Sequence, residues 1–298
     1  MKIIRIIGGI GNQMFQYAFA LSLQKHFPTE IVLIDTSLFN GYALHNGYEL
    51  GRVFGVDLPI ATGKDIRKVS CYIPNYKWSR LYRKIFGYRK TEFKEPRLFD
   101  FWGETAFAID RDCYYEGSWQ NEKYFKDFQN EIREAFSFKQ PLSEMNLNVL
   151  DEINENNSVS IHVRRGDYLN DPAYQGVCDV PYYTNAIRYI KKRVEAPFFF
   201  IFSNDIDWCQ EHITPLCDKY KIIGWNSGKD SWADMQLMSL CKHNIIAHSS
   251  FSWWGAWLNA HESKIVVAPR GWYNEKGITE SPQLEDWILC DNQQTNEE

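Results

Sequence analysis

Hydrophobic and polar positions fall in short blocks along this chain, and the blocks change period from strand to helix and back. Residues 3–7 are apolar except for Arg5, the pattern of a parallel strand covered on both faces. Gly8-Gly9-Ile10-Gly11-Asn12-Gln13 makes a turn, after which Phe15, Phe19, Leu23 and Phe27 recur at helical spacing through residues 14–27. Residues 31–34 then form a second strand. Strand, glycine turn, helix, strand opens a doubly wound sheet. Residues 125–138 read as a helix ended by Pro141, and residues 154–158 are polar, so a domain boundary is expected within residues 139–157. This divides the chain into α/β domains of residues 1–150 and 151–298.

In the second half, strands at residues 158–163, 198–202, 221–223, 244–247 and 264–268 alternate with helices at 181–194, 206–213, 230–241 and 253–260. Five strands so arranged predict a parallel sheet with right-handed crossovers. No repeat of 20 to 50 residues is evident. Residues 292–298 are polar and predicted disordered.

The richest strand end reads Ser-Val-Ser-Ile-His-Val-Arg-Arg-Gly-Asp-Tyr over residues 158–168. Alternation puts Val159, Ile161 and Val163 on one face and Ser160, His162 and Arg164 on the other. The strand stops at Gly166, gathering His162, Arg164, Arg165 and Asp167 where open α/β sheets hold ligands. Arginine binds phosphate oxygens with a planar fork and stays charged, so Arg164 or Arg165 can neutralise a diphosphate without a metal. Taken alone, the same residues also spell a surface Arg-Asp pair.

Composition narrows the partners. A chain of 298 residues accommodates two domains of about 150. Its net charge of -5 argues against nucleic acid as the main partner. Seven scattered cysteines, none spaced Cys-x-x-Cys, favour reduced thiols over a disulfide framework or zinc site. No window approaches the roughly 20 apolar residues of a membrane-spanning helix, and the short apolar start lacks the features of a signal peptide. Eleven tryptophans and seventeen tyrosines suit either sugar stacking or a core.

One region reverses the overall charge. Residues 64–97 carry eleven Lys or Arg against Asp65, Glu92 and Glu95, a local balance near +8, with tyrosines, Trp78 and Phe86 interleaved. Such a surface fits anionic headgroups, a pyrophosphate-linked glycan or a solvated helical face. Trp119 and Gln120, in the turn at 117–121, either contact sugar or cap the next helix. The glycines at 8, 9 and 11 miss the third position of the dinucleotide fingerprint, which Met14 occupies, and this sets a dehydrogenase aside. They still permit close approach at a helix N-terminus, with Asn12 and Gln13 directed outward. His248-Ser249-Ser250-Phe251-Ser252 lies between a strand and a Trp-rich helix, where the serines either receive phosphate oxygens or cap the helix. Asp110-Arg-Asp112 and Asp205-Ile-Asp207 each spell Asp-x-Asp, a pattern of metal-dependent transferases that is common by chance in an acidic chain.

His-Val-Arg-Arg-Gly-Asp-Tyr resembles the His-x-Arg-Arg-x-Asp motif of the α1,2-fucosyltransferases of glycosyltransferase family 11. The resemblance extends in order through residues 7–20, 159–168, 200–205 and 232–259, including Gly-Gly-x-Gly-Asn-Gln, Phe-Ser-Asn-Asp, Asp-Met-Gln-Leu-Met-Ser and Ser-Ser-Phe-Ser-Trp-Trp-Gly-Ala-Trp-Leu. It implies a GT-B-like fold of two Rossmann-like domains facing across a cleft. It also implies inverting transfer of L-fucose from GDP-fucose to the 2-hydroxyl of a terminal β-galactoside.

On that resemblance Arg164 meets the β-phosphate and Arg165 assists or orients it, while His162 and Asp234 contact guanine and ribose. Ser203, Asp205, Ser249, Ser250, Phe251 and Ser252 complete the donor set. Gly9, Gly11, Asn12 and Gln13 position the acceptor. Asp167 and Asp171 are the candidate general bases, although the related α1,6-enzymes carry a Glu where this chain has Asp171-Pro172. No metal or other cofactor is expected, and the expected setting is a bacterial cytoplasm, peripheral to the membrane through residues 64–97. A transferase of the same fold with a different acceptor, such as a protein hydroxyl, or a different donor, and a non-catalytic carbohydrate-binding protein are the competing readings; loss of nucleotide affinity would mark the latter.

Overall fold

The computed structural model describes residues 1–274 and 280–293, and for Asp167 the backbone alone. The chain divides into two compact units, Met1–Gln140 and Pro141–Glu298. Each is an α/β unit on a parallel sheet.

The first unit contains β1 (Lys2–Arg5), α1 (Ile10–His26), β2 (Val32–Asp35), α2 (Leu50–Phe54), α3 (Gly63–Val69), α4 (Tyr76–Phe86), β3 (Glu92–Lys94), α5 (Gly103–Ala106), β4 (Cys113–Glu116) and α6 (Gln129–Ala135). Its strands are all parallel in the order β2-β1-β4-β3. α1 is buried on most of its circumference, with Phe15, Phe19 and Leu23 fully enclosed. Phe19 stacks on Trp119 with ring centroids 3.9 Å apart. Trp119 is therefore core, held in a left-handed backbone conformation (φ 55°), and is not a sugar platform. The helix expected over residues 125–138 is shorter: Phe125 turns inward with non-helical backbone, and only α6 is α-helical there.

The second unit contains α7 (Glu144–Glu155), β5 (Asn157–Val163), α8 (Val180–Lys191), β6 (Pro197–Ser203), α9 (Ile206–His212), β7 (Tyr220–Ile223), α10 (Trp232–Leu240), β8 (His243–Ile245), α11 (Ser250–Leu258), β9 (Val266–Pro269) and β10 (Ile288–Cys290). α7 occupies residues expected to link domains. Its apolar stripe of Val149 and Ile153 is diluted by Asn146, itself buried, and the Ser143 side chain caps it by accepting from the Asn146 amide. The sheet is wholly parallel, ordered β10-β9-β8-β5-β6-β7, one strand more than the five expected. Counted within the unit this is 6-5-4-1-2-3, the strand order of dinucleotide-binding sheets read from its other edge. The order reverses between β5 and β8, so a crevice is expected beyond the carboxyl ends of those two strands.

Asn292 is ordered, contrary to the disorder expected from residue 292 onward. Its Oδ1 accepts from the Asp179 and Tyr182 amides and so caps α8 from outside the helix. Residues 294–298, the rest of that expectation, lie outside the described residues. The seven cysteines carry no disulfide. No helix among the described residues is long and apolar enough to cross a membrane.

Candidate donor site

β5 is central, and both its faces are covered. Ser158 and Ser160 are as enclosed as Val159 and Ile161, and Ser160 Oγ accepts from Asn244 Nδ2 on neighbouring β8 at 2.8 Å. The face expected to carry chemistry is thus internal for most of its length. Only its carboxyl end opens.

There the structure brings together residues from both sides of the sheet's reversal. His162, on β5, lies with its ring centroid 5.5 Å from Phe251 of α11. His248, in the loop after β8, lies 5.0 Å from the ring of Tyr168. The Arg164 guanidinium sits 5.3 Å from the same Tyr168 ring. Burial, the Arg164 charge and His248 together push the His162 imidazole down to about 3, so it is neutral at working pH. Burial likewise pushes His248 down to about 4. His162 is only 7% exposed, and its Nδ1 has no hydrogen-bond partner among the described residues. A buried polar nitrogen in that condition costs free energy unless something pairs with it. The α11 N-terminus begins at this cluster, and the positive end of its dipole adds partial positive charge.

Arg165 turns the other way. Its Nε donates to Asp205 at 3.1 Å, its guanidinium lies 4.1 Å from the Trp208 ring, and its amide donates to Asn204 Oδ1. Asp205 also accepts from the Trp208 amide and caps α9, so its two oxygens are engaged by the fold rather than left for a donor. Ser203 Oγ accepts from the Asp205 amide within the same turn. Gly166 closes the connection with φ +39°, and a Cβ there would stand 2.4 Å from Asn204 Nδ2. The residue must be glycine for both reasons.

The remaining expected donor residues divide. Asp234 sits in the first turn of α10, beyond the carboxyl end of β7, where it accepts from Asn226 Nδ2 at 2.7 Å. Burial pushes its carboxyl up to about 7, against that hydrogen bond. Ser250 opens α11 and Phe251 faces His162, both half-buried. Ser249, by contrast, is an N-cap that accepts from the Phe251 amide. Ser252 is fully buried and donates to the Ala247 and Ser249 carbonyls. Trp253, Trp254 and Trp257, in the Trp-rich motif, are core as well.

Asp171 is exposed in a turn where it accepts from the Ala173 amide. The Asp167 side chain lies outside the described residues. Tyr168, Tyr174 and Tyr273 were not anticipated. Tyr168 and Tyr174 stack at 4.1 Å, and the Tyr174 and Tyr273 hydroxyls are hydrogen bonded, walling the His248 side of the site. Tyr168 at the end of the arginine motif was the available signal.

In the first unit, the glycine turn is built differently from expectation. Gln13 is fully buried: its Nε2 donates to the Gly8 and Gly47 carbonyls and its Oε1 accepts from the Glu49 amide. It clamps the loop before α2 and, fully enclosed, is not presented to an acceptor. Gly11 is buried, whereas Gly9 and Asn12 are half-buried, and Asn12 Oδ1 accepts from Gln120 Nε2 at 2.9 Å. Asp110 and Asp112 precede β4, at the amino ends of the strands, whereas this turn follows the carboxyl end of β1, and Asp112 pairs with the Met1 ammonium.

The sequence model of glycosyl transferase family 11 matches residues 86–291, which span the donor cluster and all of α8 to β10. The chain belongs to glycosyltransferase family 11. Relatives agree over greater length. An α-1,2-colitosyltransferase of Escherichia coli is 33% identical over 96% of this chain and 97% of its own. The O-antigen biosynthesis glycosyltransferase WbnK of Escherichia coli is 31% identical over 94% and 97%. The galactoside α-(1,2)-fucosyltransferase 1 of Homo sapiens is 28% identical over 84% of this chain and 63% of its own. The family 11 chain is therefore a glycosyltransferase, and a non-catalytic carbohydrate-binding role is set aside.

Proposed function

We propose that this family 11 transferase moves L-fucose from GDP-fucose to the 2-hydroxyl of a terminal β-galactoside, inverting the anomeric carbon, in surface-glycan assembly. The observation that carries the reading is the meeting of His162, Arg164, His248 and the α11 N-terminus where the strand order reverses. In inverting transfer, positive charge develops on the sugar ring while negative charge grows on the departing diphosphate. A guanidinium and helix amides already in place lower that barrier without reorganising.

Arg164 neutralises the β-phosphate. Arg165, held by Asp205 and Trp208, fixes the strand end from which Arg164 projects. The unpaired His162 Nδ1 is a hydrogen-bonding group for guanine, and Asp234 serves the ribose hydroxyls. No metal takes part: Asp205 of one Asp-x-Asp pair is engaged with Arg165 and a helix cap, and Asp112 of the other precedes β4 and pairs with the Met1 ammonium. Seven unbridged cysteines fit a reducing cytoplasm.

A second reading has a specific observation behind it. The colitosyltransferase relative matches nearly the whole chain, and colitose is L-fucose without its 3-hydroxyl. Purified protein with lactose and either GDP-fucose or GDP-colitose, with and without EDTA, separates the two by GDP release and by the linkage of the product. Fucosyl transfer that survives EDTA and gives an α1,2 product supports the proposal. Transfer of colitose alone overturns its donor, and rescue by manganese overturns its metal independence.

A further inference from the structure

A helix on a protein surface normally turns its apolar stripe toward the core. α4 does the reverse. Its small Ser79 is buried and its Arg83 is drawn inward to Glu92 (3.0 Å) and Glu116 (3.2 Å), while Trp78, Leu81, Ile85 and Phe86 stand 64%, 46%, 63% and 68% exposed. At 100° per residue Trp78, Leu81 and Ile85 form one stripe, Phe86 lies on one flank, and Lys77 and Lys84 lie on the other. The helix spans about 16 Å at 1.5 Å per residue.

The charge around it is one-sided. Of the eleven basic residues in 64–97, every one except Arg83 is exposed, and none of the three acids is. Asp65 caps α3, Glu92 pairs with Arg83, and Glu95 is buried against the Ser118 and Trp119 amides. On the side of α4 away from that stripe lies a cavity of about 410 Å³ walled by Tyr42, Tyr76 and Tyr88. Arg5 and Arg83 share Glu116 within it, which leaves Arg80, Lys84 and Lys94 as exposed cations around it.

We propose that α4 is a membrane-docking helix that lies in the headgroup layer of an anionic bilayer, its apolar stripe in the acyl boundary and the flanking Lys77 and Lys84 at the lipid phosphates. Aromatic and aliphatic residues on one face, with lysine and arginine along the margins, are the chemistry that binds such an interface. The same charge argues against a second copy of this chain as occupant, because two such faces would set the exposed Lys77, Arg80 and Lys84 of one α4 against those of the other. The surface lies in the first unit and shares no residue with the donor cluster, so its test uses no nucleotide.

Flotation of the full chain with phosphatidylcholine vesicles, and with equimolar phosphatidylcholine and phosphatidylglycerol, reads the proposal. Binding is expected only to the anionic vesicles and is weakened by salt. The double variant Lys77→Glu/Lys84→Glu should lower the affinity about 25-fold or more, at roughly fivefold per basic residue. Trp78→Ser/Ile85→Ser should also release the protein. Both variants should keep the wild-type unfolding midpoint, since the replaced side chains are exposed. Equal binding to both vesicle types, no flotation, or a self-association abolished by Trp78→Ser/Ile85→Ser would each overturn it.

Discussion

Gly166 ties the arginine strand end to the neighbouring strand, and Gly166→Ala tests how tightly. Its φ of +39° is in the left-handed region, where a Cβ costs roughly 1–2 kcal/mol. The new methyl would stand 2.4 Å from Asn204 Nδ2, so Asn204 must move and give up its hydrogen bond to the Arg165 amide, worth about 1 kcal/mol. The expected loss is roughly 2–3 kcal/mol in urea unfolding followed by circular dichroism. Asn204→Ala alone should cost about 1 kcal/mol, the same hydrogen bond. Once alanine stands at 166 that bond is already lost, so the double variant should cost no more than Gly166→Ala, a coupling of about 1 kcal/mol. Independent, additive losses, or a Gly166→Ala loss below about 0.5 kcal/mol, would refute the assignment of strain and contact to this turn.

Other consequences can be measured separately. Asp167→Asn and Asp171→Asn distinguish the candidate bases: the base should lose 10²–10⁴-fold in kcat with GDP-fucose affinity unchanged, whereas a residue that only holds the loop should alter both. Asp234 is held up to about 7 by burial against about 3.9 when unfolded. Between those values the folded state keeps a proton that the unfolded state has released, so this group's contribution to stability falls as pH rises. Asp234→Asn should therefore gain on the wild type between pH 5 and pH 8 by roughly 1 kcal/mol, reduced from the full linkage by solvent access. Equal differences at both pH values would contradict this. Ser252→Ala should lower stability by about 1 kcal/mol and leave donor affinity alone, while Ser250→Ala should do the opposite; GDP titration and thermal unfolding read both.

The parts of the fold that were legible share one property, a periodicity carried by large apolar residues. Phe198 to Phe202 announces β6, and Phe15, Phe19 and Leu23 announce α1. α7 was missed because its buried face includes Asn146, which pairs with Asn226 instead of packing as an apolar residue. β10 was missed because Ile288–Cys290 is three residues long. At the site, residue type identified the strand end but not the use of each group. Ser249, Ser252, Ser203 and Gln13 carry the same donors and acceptors whether they meet a ligand or the backbone, and only the fold shows that their partners are internal. Asp205 illustrates the same limit: its carboxylate reads as a donor or metal contact until Arg165 and the α9 amide are placed against it. Tyr174 and Tyr273 are 99 residues apart and meet only through tertiary folding.

Calorimetric titration of GDP into the wild type and Arg164→Ala, both in EDTA, tests the central claim most directly. The account predicts metal-independent binding by the wild type and at least a tenfold weaker affinity in the variant, since a hydrogen bond to a charged group contributes about 1.5–3 kcal/mol. Undiminished GDP affinity in Arg164→Ala, or wild-type binding that needs a divalent ion, would contradict it.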